Sequence, residues 1–299
     1  MDRTAKENHL TLIITAWVAT LLSSNLLLII SRELYHAEPG WIFQVRLSVL
    51  GVALLAALLR QELRPLLKYV LVIAMLFLLE FIAGWIGASQ FWQRAFSSSS
   101  FSVSMASTQA LRLLVSLGMV MVMMNLQKKP ALFFLTRGKP DAIAEPIPLI
   151  MTKPVLWSRL GWILAACISG GTMAFLLLGS IHEGNAAARL LPLLPAVLIF
   201  AAMNAFSEEM SYRAAPLSVL EEPLGKNQSL LLTSLFFGLG HFYGIPYGVM
   251  GVIMASLLGW FLGKSMLETR GFGWAWFIHF LQDVMIFAFM VIGTITPGG

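Results

Sequence analysis

Four ionisable side chains stand inside apolar stretches in the C-terminal third of this 299-residue chain: Glu208, His241, His279 and Asp283. A glutamate with two histidines suits the activation of water. The carboxylate accepts a proton while imidazole groups hold the water or stabilise a developing oxyanion. No serine or cysteine is placed as a nucleophile, and the only cysteine, Cys167, lies in an apolar run where packing is its expected role. Direct attack of water on an amide is the reaction such a set favours. Two histidines and a carboxylate with an open fourth position also make a zinc site, so Glu208, His241 and His279 are equally candidate ligands of a divalent metal. Spacing alone leaves both readings open.

Helical periodicity separates the two adjacent glutamates of "AFSEEMSYRAAP", residues 205–216. Glu209 and Arg213 are four apart and suit an ion pair on one face, whereas Glu208 shares its face with Asn204, Ser211 and Tyr212. Glu209 therefore reads as structural and Glu208 as available for chemistry. His279 and Asp283, with Gln282 beside them, are likewise four apart. A charge at the centre of a membrane helix costs about 3 kcal/mol, which makes each a functional candidate.

Depth links them. In a helix continuing through "AAPLSVL" to Leu220, Glu208 is about 18 Å from the cytoplasmic end at ~1.5 Å per residue, and His241 is about equally deep. His279 and Asp283 fall at roughly 9 and 15 Å. A single histidine in a span is commonly a helix-to-helix hydrogen-bonding group; the shared depth of all four favours one site.

The elements that must carry them are membrane helices. The chain is 58% hydrophobic and 12% charged, with a mean hydropathy of +0.79, beyond what a soluble surface tolerates. Apolar runs occur near 10–30, 41–59, 69–88, 106–126, 160–179, 190–220, 229–243, 248–263 and 273–293. They predict an all-α, polytopic transmembrane helical bundle of eight or nine spans, because runs of this length without strand alternation do not suit a barrel. The pair 229–243 and 248–263 is short, so its connection "GIPYG" is expected to dip into the protein. The first run reads as an uncleaved span.

Most of the 20 Lys and Arg residues, including Lys6, Arg60, Lys128, Lys139, Lys226 and Arg270, fall on one side of this arrangement, which predicts a cytoplasmic N-terminus in the cell membrane. Topology thus accounts for the +5 charge without a nucleic-acid partner. Residues 127–159, rich in proline and basic side chains, divide an N-terminal membrane region (1–126) from a C-terminal one (160–299). Arg46, Glu80 and Arg112 are isolated ionisable groups in the first region that could pair across helices but form no cluster, and Ser97–Ser100 reads as an outer polar loop.

"EEMSYR" at 208–213, "FGLGH" at 237–241 and "HFLQD" at 279–283 resemble the three motifs of the CPBP family, EExxxR, FxxxH and HxxxN/D, in order. These membrane proteases include type II CAAX prenyl endopeptidases and bacteriocin-processing and self-immunity proteins. The resemblance covers about 190–290 and implies an intramembrane endopeptidase acting on a membrane-associated or prenylated peptide. It implies Glu208 and His241 as the water-activating pair, His279 and Asp283 as the oxyanion side, and Glu209, Arg213 and Phe237 as structural motif residues. Asp283 stands where some members have asparagine, and a bare aspartate would repel an oxyanion, so its pairing matters. Family descriptions differ on a metal. The competing classes are a non-proteolytic immunity or scaffolding protein of the same fold and, last, an ion or proton carrier.

Overall fold

A computed structural model describes residues 3–96, 100–147, 150–178 and 186–292. Its helices are α1 (Arg3–Ser23), α2 (Leu26–Tyr35), α3 (Trp41–Leu59), α4 (Leu67–Ala88, after a 3-10 turn), α5 (Gln90–Ala95), α6 (Phe101–Gln127), α7 (Trp157–Leu178), α8 (Ala186–Leu190), α9 (Leu194–Glu209), α10 (Ala215–Leu224), α11 (Lys226–Leu239), α12 (Val249–Thr269) and α13 (Gly273–Val291). One antiparallel pair of two-residue strands, β1 (Ile143–Ala144) and β2 (Val155–Leu156), precedes α7. Among the described residues seven helices are long and apolar enough to cross a membrane, and the bent pair α1–α2 makes an eighth. The protein is an all-α polytopic helical bundle.

Three spans differ in detail from the hydropathy runs. The first is broken: α1 and α2 meet at a 51° bend. Ser23 Oγ donates to the Ala19 carbonyl at 2.7 Å and Ser24 Oγ to that of Leu21 at 2.8 Å. The Leu26 N–H in turn donates to Ser24 Oγ at 3.1 Å. Hydroxyls that compete for backbone groups bend helices in this way. The span carrying Glu208 is longer than its apolar run, extending from Ala188 to Leu224. The second member of the expected short pair, α12, is 21 residues long and able to cross. The apolar run stops before Lys264, but the helix continues because Lys264, Ser265 and Thr269 are buried within the protein. Only α11, at 14 residues, is short. Of the serine loop, residues 97–99 lie outside the described residues.

The chain divides into two compact units, neither contiguous in sequence. The first comprises 1–78, 119–133 and 212–264. Its polar interior is built by pairing: Thr20 and Tyr69 share a hydrogen bond, Arg46 Nε donates to the Ser23 carbonyl at 2.7 Å, and Trp17 Nε1 donates to Gln228 at 3.0 Å.

The second unit comprises 79–118, 134–211 and 265–299. Here α13 packs on α9 and α7. Trp276 Nε1 donates to the Ala202 carbonyl at 3.1 Å, which fixes α13 to α9. On the other side Trp274 lies flat over Gly161 of α7, so closely that a Cβ there would meet the indole at 2.3 Å. Met105 of α6, Val197 and Ala201 of α9, and Phe287 of α13 form one buried apolar cluster. That cluster brings α6 against the helix that carries the glutamates. The Pro-rich segment before α7 is folded into this unit: Lys139 N–H bonds the Thr269 carbonyl, Phe272 N–H bonds that of Thr136, each at 2.8 Å, and Trp157 Nε1 bonds Glu268 at 2.8 Å. Gly138, at φ +70, and Gly271 touch through their backbones, a closeness that a side chain on either would prevent.

Candidate active site

In the second unit, α9 ends at Glu209 and the chain continues as a π turn, Met210–Ala214. A π turn hydrogen-bonds i to i+5 and is frequent at functional sites. The register of the helix widens immediately after Glu209, between it and Arg213. Glu208 and Glu209 are both buried, as are Asn204, Ser207, His279 and Asp283.

His279 is the centre of the group. Its Nδ1 is 2.7 Å from Glu209 Oε1. A carboxylate in this contact accepts, so Nδ1 carries the hydrogen and the other ring nitrogen is turned outward by the contact. Nε2 then faces Glu208 Oε2 at 3.6 Å and Asp283 Oδ1 at 3.7 Å. These separations exceed a direct hydrogen bond and are those of close charge neighbours. Beyond the pairing with Arg213 that its spacing suggests, Glu209 holds His279.

A second set of contacts steadies the carboxylates. Asn204 Nδ2 donates to Asp283 Oδ2 at 3.0 Å, and Asn204 Oδ1 accepts from Gln109 Nε2 at 3.2 Å and from Arg112. The amide orientation is thereby set by acceptors on one end and donors on the other. Arg112 Nη1 also donates to Glu208 Oε1 at 2.6 Å. Ser116 and Ser207 hydroxyls meet at 3.3 Å. Gln109, Arg112 and Ser116 recur at three- and four-residue intervals, one face of α6. Arg112, an isolated ionisable group that the sequence marks only as able to pair across helices, pairs with Glu208, and Gln109 has no distinguishing signal beyond this spacing.

Arg213, Phe237 and His241 lie in the first unit. Arg213 is fully buried with its guanidinium over the Phe237 ring, 4.3 Å from the centroid. Gly259 and Gly263 of α12 leave room for it: a Cβ on Gly259 would come within 3.2 Å of Arg213 Nη2, and one on Gly263 within 2.6 Å of Leu230. Small residues four apart permit such close helix approach in membranes. Phe237 in turn supports His241, whose ring lies 4.4 Å away, and its carbonyl accepts from His241 Nδ1 at 2.9 Å. The carbonyl has no hydrogen to give, so Nδ1 must be the protonated nitrogen. His241 follows the end of α11 in a turn rather than standing within the helix.

Metal ligation by these side chains was the other sequence reading. Among the described residues no three His, Cys, Asp or Glu side chains are arranged to hold a metal ion. Glu208 pairs with the Arg112 cation.

No curated protein and no solved structure matches the chain. One family model does, described as type II CAAX prenyl endopeptidase Rce1-like, over residues 190–285. The matched stretch contains Glu208, Glu209, Arg213, Phe237, His241, His279 and Asp283, and leaves α1–α6 outside. It supports a CAAX-type protease in general, and with the apolar helices it marks an integral membrane protein. Residues 190–285 thus match the Rce1-like family of type II CAAX prenyl endopeptidases, in agreement with the CPBP resemblance carried by the three motifs.

Proposed function

We propose that this protein is an intramembrane endopeptidase that hydrolyses a peptide bond of a membrane-associated protein or peptide, prenylated or CAAX-like, by water activated at Glu208. The observation that carries the reading is the buried convergence of Glu208 and Asp283 on the Nε2 side of a histidine whose Nδ1 is held by Glu209. In the reaction, Glu208 takes a proton from water as its oxygen attacks the carbonyl carbon, and that proton passes to the departing amine. His279, oriented by Glu209, faces the same space; as the imidazolium, protonated at both ring nitrogens, it donates from Nε2 and stabilises the oxyanion. Asp283 is held by Asn204 and balances the charge of the imidazole. His241 enters as the second water-positioning group through its motif alone. The N-terminus is cytoplasmic and the protein resides in the cell membrane, as the basic residues indicate.

The test uses purified protein in liposomes with matched C-terminal peptides, farnesylated and unmodified, and product masses read with and without chelator. Cleavage at one bond, unaffected by chelator, is expected. Cleavage that chelator abolishes would replace the metal-free mechanism with a metal-dependent one. Folded protein that captures a partner yet cleaves no peptide would favour the non-proteolytic scaffolding reading.

A further inference from the structure

The site has a cation that the three motifs do not contain. Arg112 belongs to α6, outside residues 190–285. It lies in a helix that is otherwise largely apolar, where a guanidinium is costly unless it has partners. Its Nη1 donates to Glu208 Oε1 at 2.6 Å and also to Asn204 Oδ1, while Asn204 holds Asp283. The other oxygen of the same carboxylate, Oε2, is the one that faces His279 Nε2. One Glu208 oxygen is therefore fixed by Arg112, which turns the second toward the imidazole. The contact is selected by packing, because Met105, one turn before Gln109, is buried with Val197 and Ala201 against α9.

We propose that Arg112 is a positioning residue for Glu208, supplied by the N-terminal part of the chain to complete a site whose reacting groups lie in the Rce1-like segment. The proposal rests on the hydrolytic role given to Glu208. Arg112 contacts Glu208 and need not touch substrate. Its loss misdirects the base and leaves Asn204 Oδ1 without its charged donor, Gln109 remaining, whereas substrate binding is retained.

The experiment compares wild type, Arg112→Ala, Arg112→Gln, Arg112→Lys and, as a control on the same helix, the exposed Leu114→Ala, all purified in detergent, on a peptide that wild type cleaves. Arg112→Ala and Arg112→Gln are expected to lose about 100-fold in kcat with KM within about threefold, the signature of misplaced geometry rather than weakened binding. Arg112→Lys, which keeps the charge without the planar fork, should recover about tenfold. Leu114→Ala should match wild type. A folded Arg112→Ala or Arg112→Gln with wild-type kcat, a loss confined to KM, or no recovery by lysine would overturn the proposal. A double-mutant cycle in thermal unfolding, Arg112→Gln with Glu208→Gln, reads the same contact without activity. Sub-additive shifts support the pairing and additive shifts refute it, even where no peptide is cleaved; wild type that cleaves nothing refutes the hydrolytic reading instead.

Discussion

At the scale of single residues, the account assigns different work to the two neighbouring glutamates. Glu208 has one oxygen on Arg112 and the other facing His279, whereas Glu209 is wholly buried against His279 Nδ1. Glu209→Gln keeps the shape but offers an amide to the imidazole, and the ring then loses its reason to keep Nδ1 protonated. A fall in kcat of up to about 10⁴-fold is expected, with little change in KM, the size found when a histidine-orienting carboxylate becomes an amide. A Glu209→Gln enzyme as fast as wild type would leave His279 without an orienting requirement. His241→Ala and His279→Ala should each abolish cleavage while the proteins still insert, as judged by size-exclusion chromatography. Phe237→Leu, which keeps the carbonyl that His241 uses but removes the ring between Arg213 and His241, should give a partial loss. Glu208 and His279 stand out in the sequence because charged groups in apolar runs are expensive. Their partners do not, since periodicity tells which face a side chain is on and says nothing of what stands opposite. Hence the contact of Glu209 with His279 is not visible in the spacing, and Arg112 reads only as able to pair across helices, with no partner named.

At the scale of elements, small residues decide which helices approach. Trp274 lies on Gly161 with no room for a Cβ, so Gly161→Val must displace the indole or separate α7 from α13. Overpacking of this kind costs about 1–3 kcal/mol. A lower unfolding midpoint in detergent is the expected outcome, and a midpoint equal to wild type would show that the α7–α13 contact yields without cost. The π turn after Glu209 was not legible, because a single inserted residue in a helix leaves the hydropathy unchanged. The length of α12 was hidden for a related reason: Lys264 ends the apolar run, but burial within the protein, not lipid, surrounds it. The bend between α1 and α2 could be anticipated only from the serines at its corner, whose hydroxyls bond carbonyls inside the helix. Element existence followed from apolar run length, and element ends followed from contacts a hydropathy profile does not contain.

For the whole molecule, composition sufficed for the class: a chain this apolar with long helical runs is a polytopic membrane bundle, and among the described residues seven helices, or eight with the bent α1–α2 pair as one span, are long and apolar enough to cross, against the expected eight or nine. The placement of basic residues predicts orientation. With Cys167 replaced by alanine, a cysteine at Lys153 should react with a membrane-impermeant maleimide only after cells are opened, and one at Ser100 should react in intact cells. The reverse pattern would invert the topology and place the site toward the other face of the membrane. What the sequence did not display is that the compact units interleave: segments from the N-terminal membrane region and from the C-terminal one occur in both. Distant stretches of chain therefore share one interior, which is how α6 comes to stand beside Glu208 although the family match begins at residue 190.

The central claim is that Glu208 activates the attacking water, and it is tested most directly by Glu208→Gln. The substitution preserves size and removes the base. Purified wild type and Glu208→Gln, shown to be equally folded by unfolding midpoint, are given the same lipidated peptide, and the products are identified by mass. The account predicts a single new carboxyl terminus from wild type and a rate reduced at least about 1000-fold in the variant. A Glu208→Gln protein that cleaves the same bond at a comparable rate would contradict it.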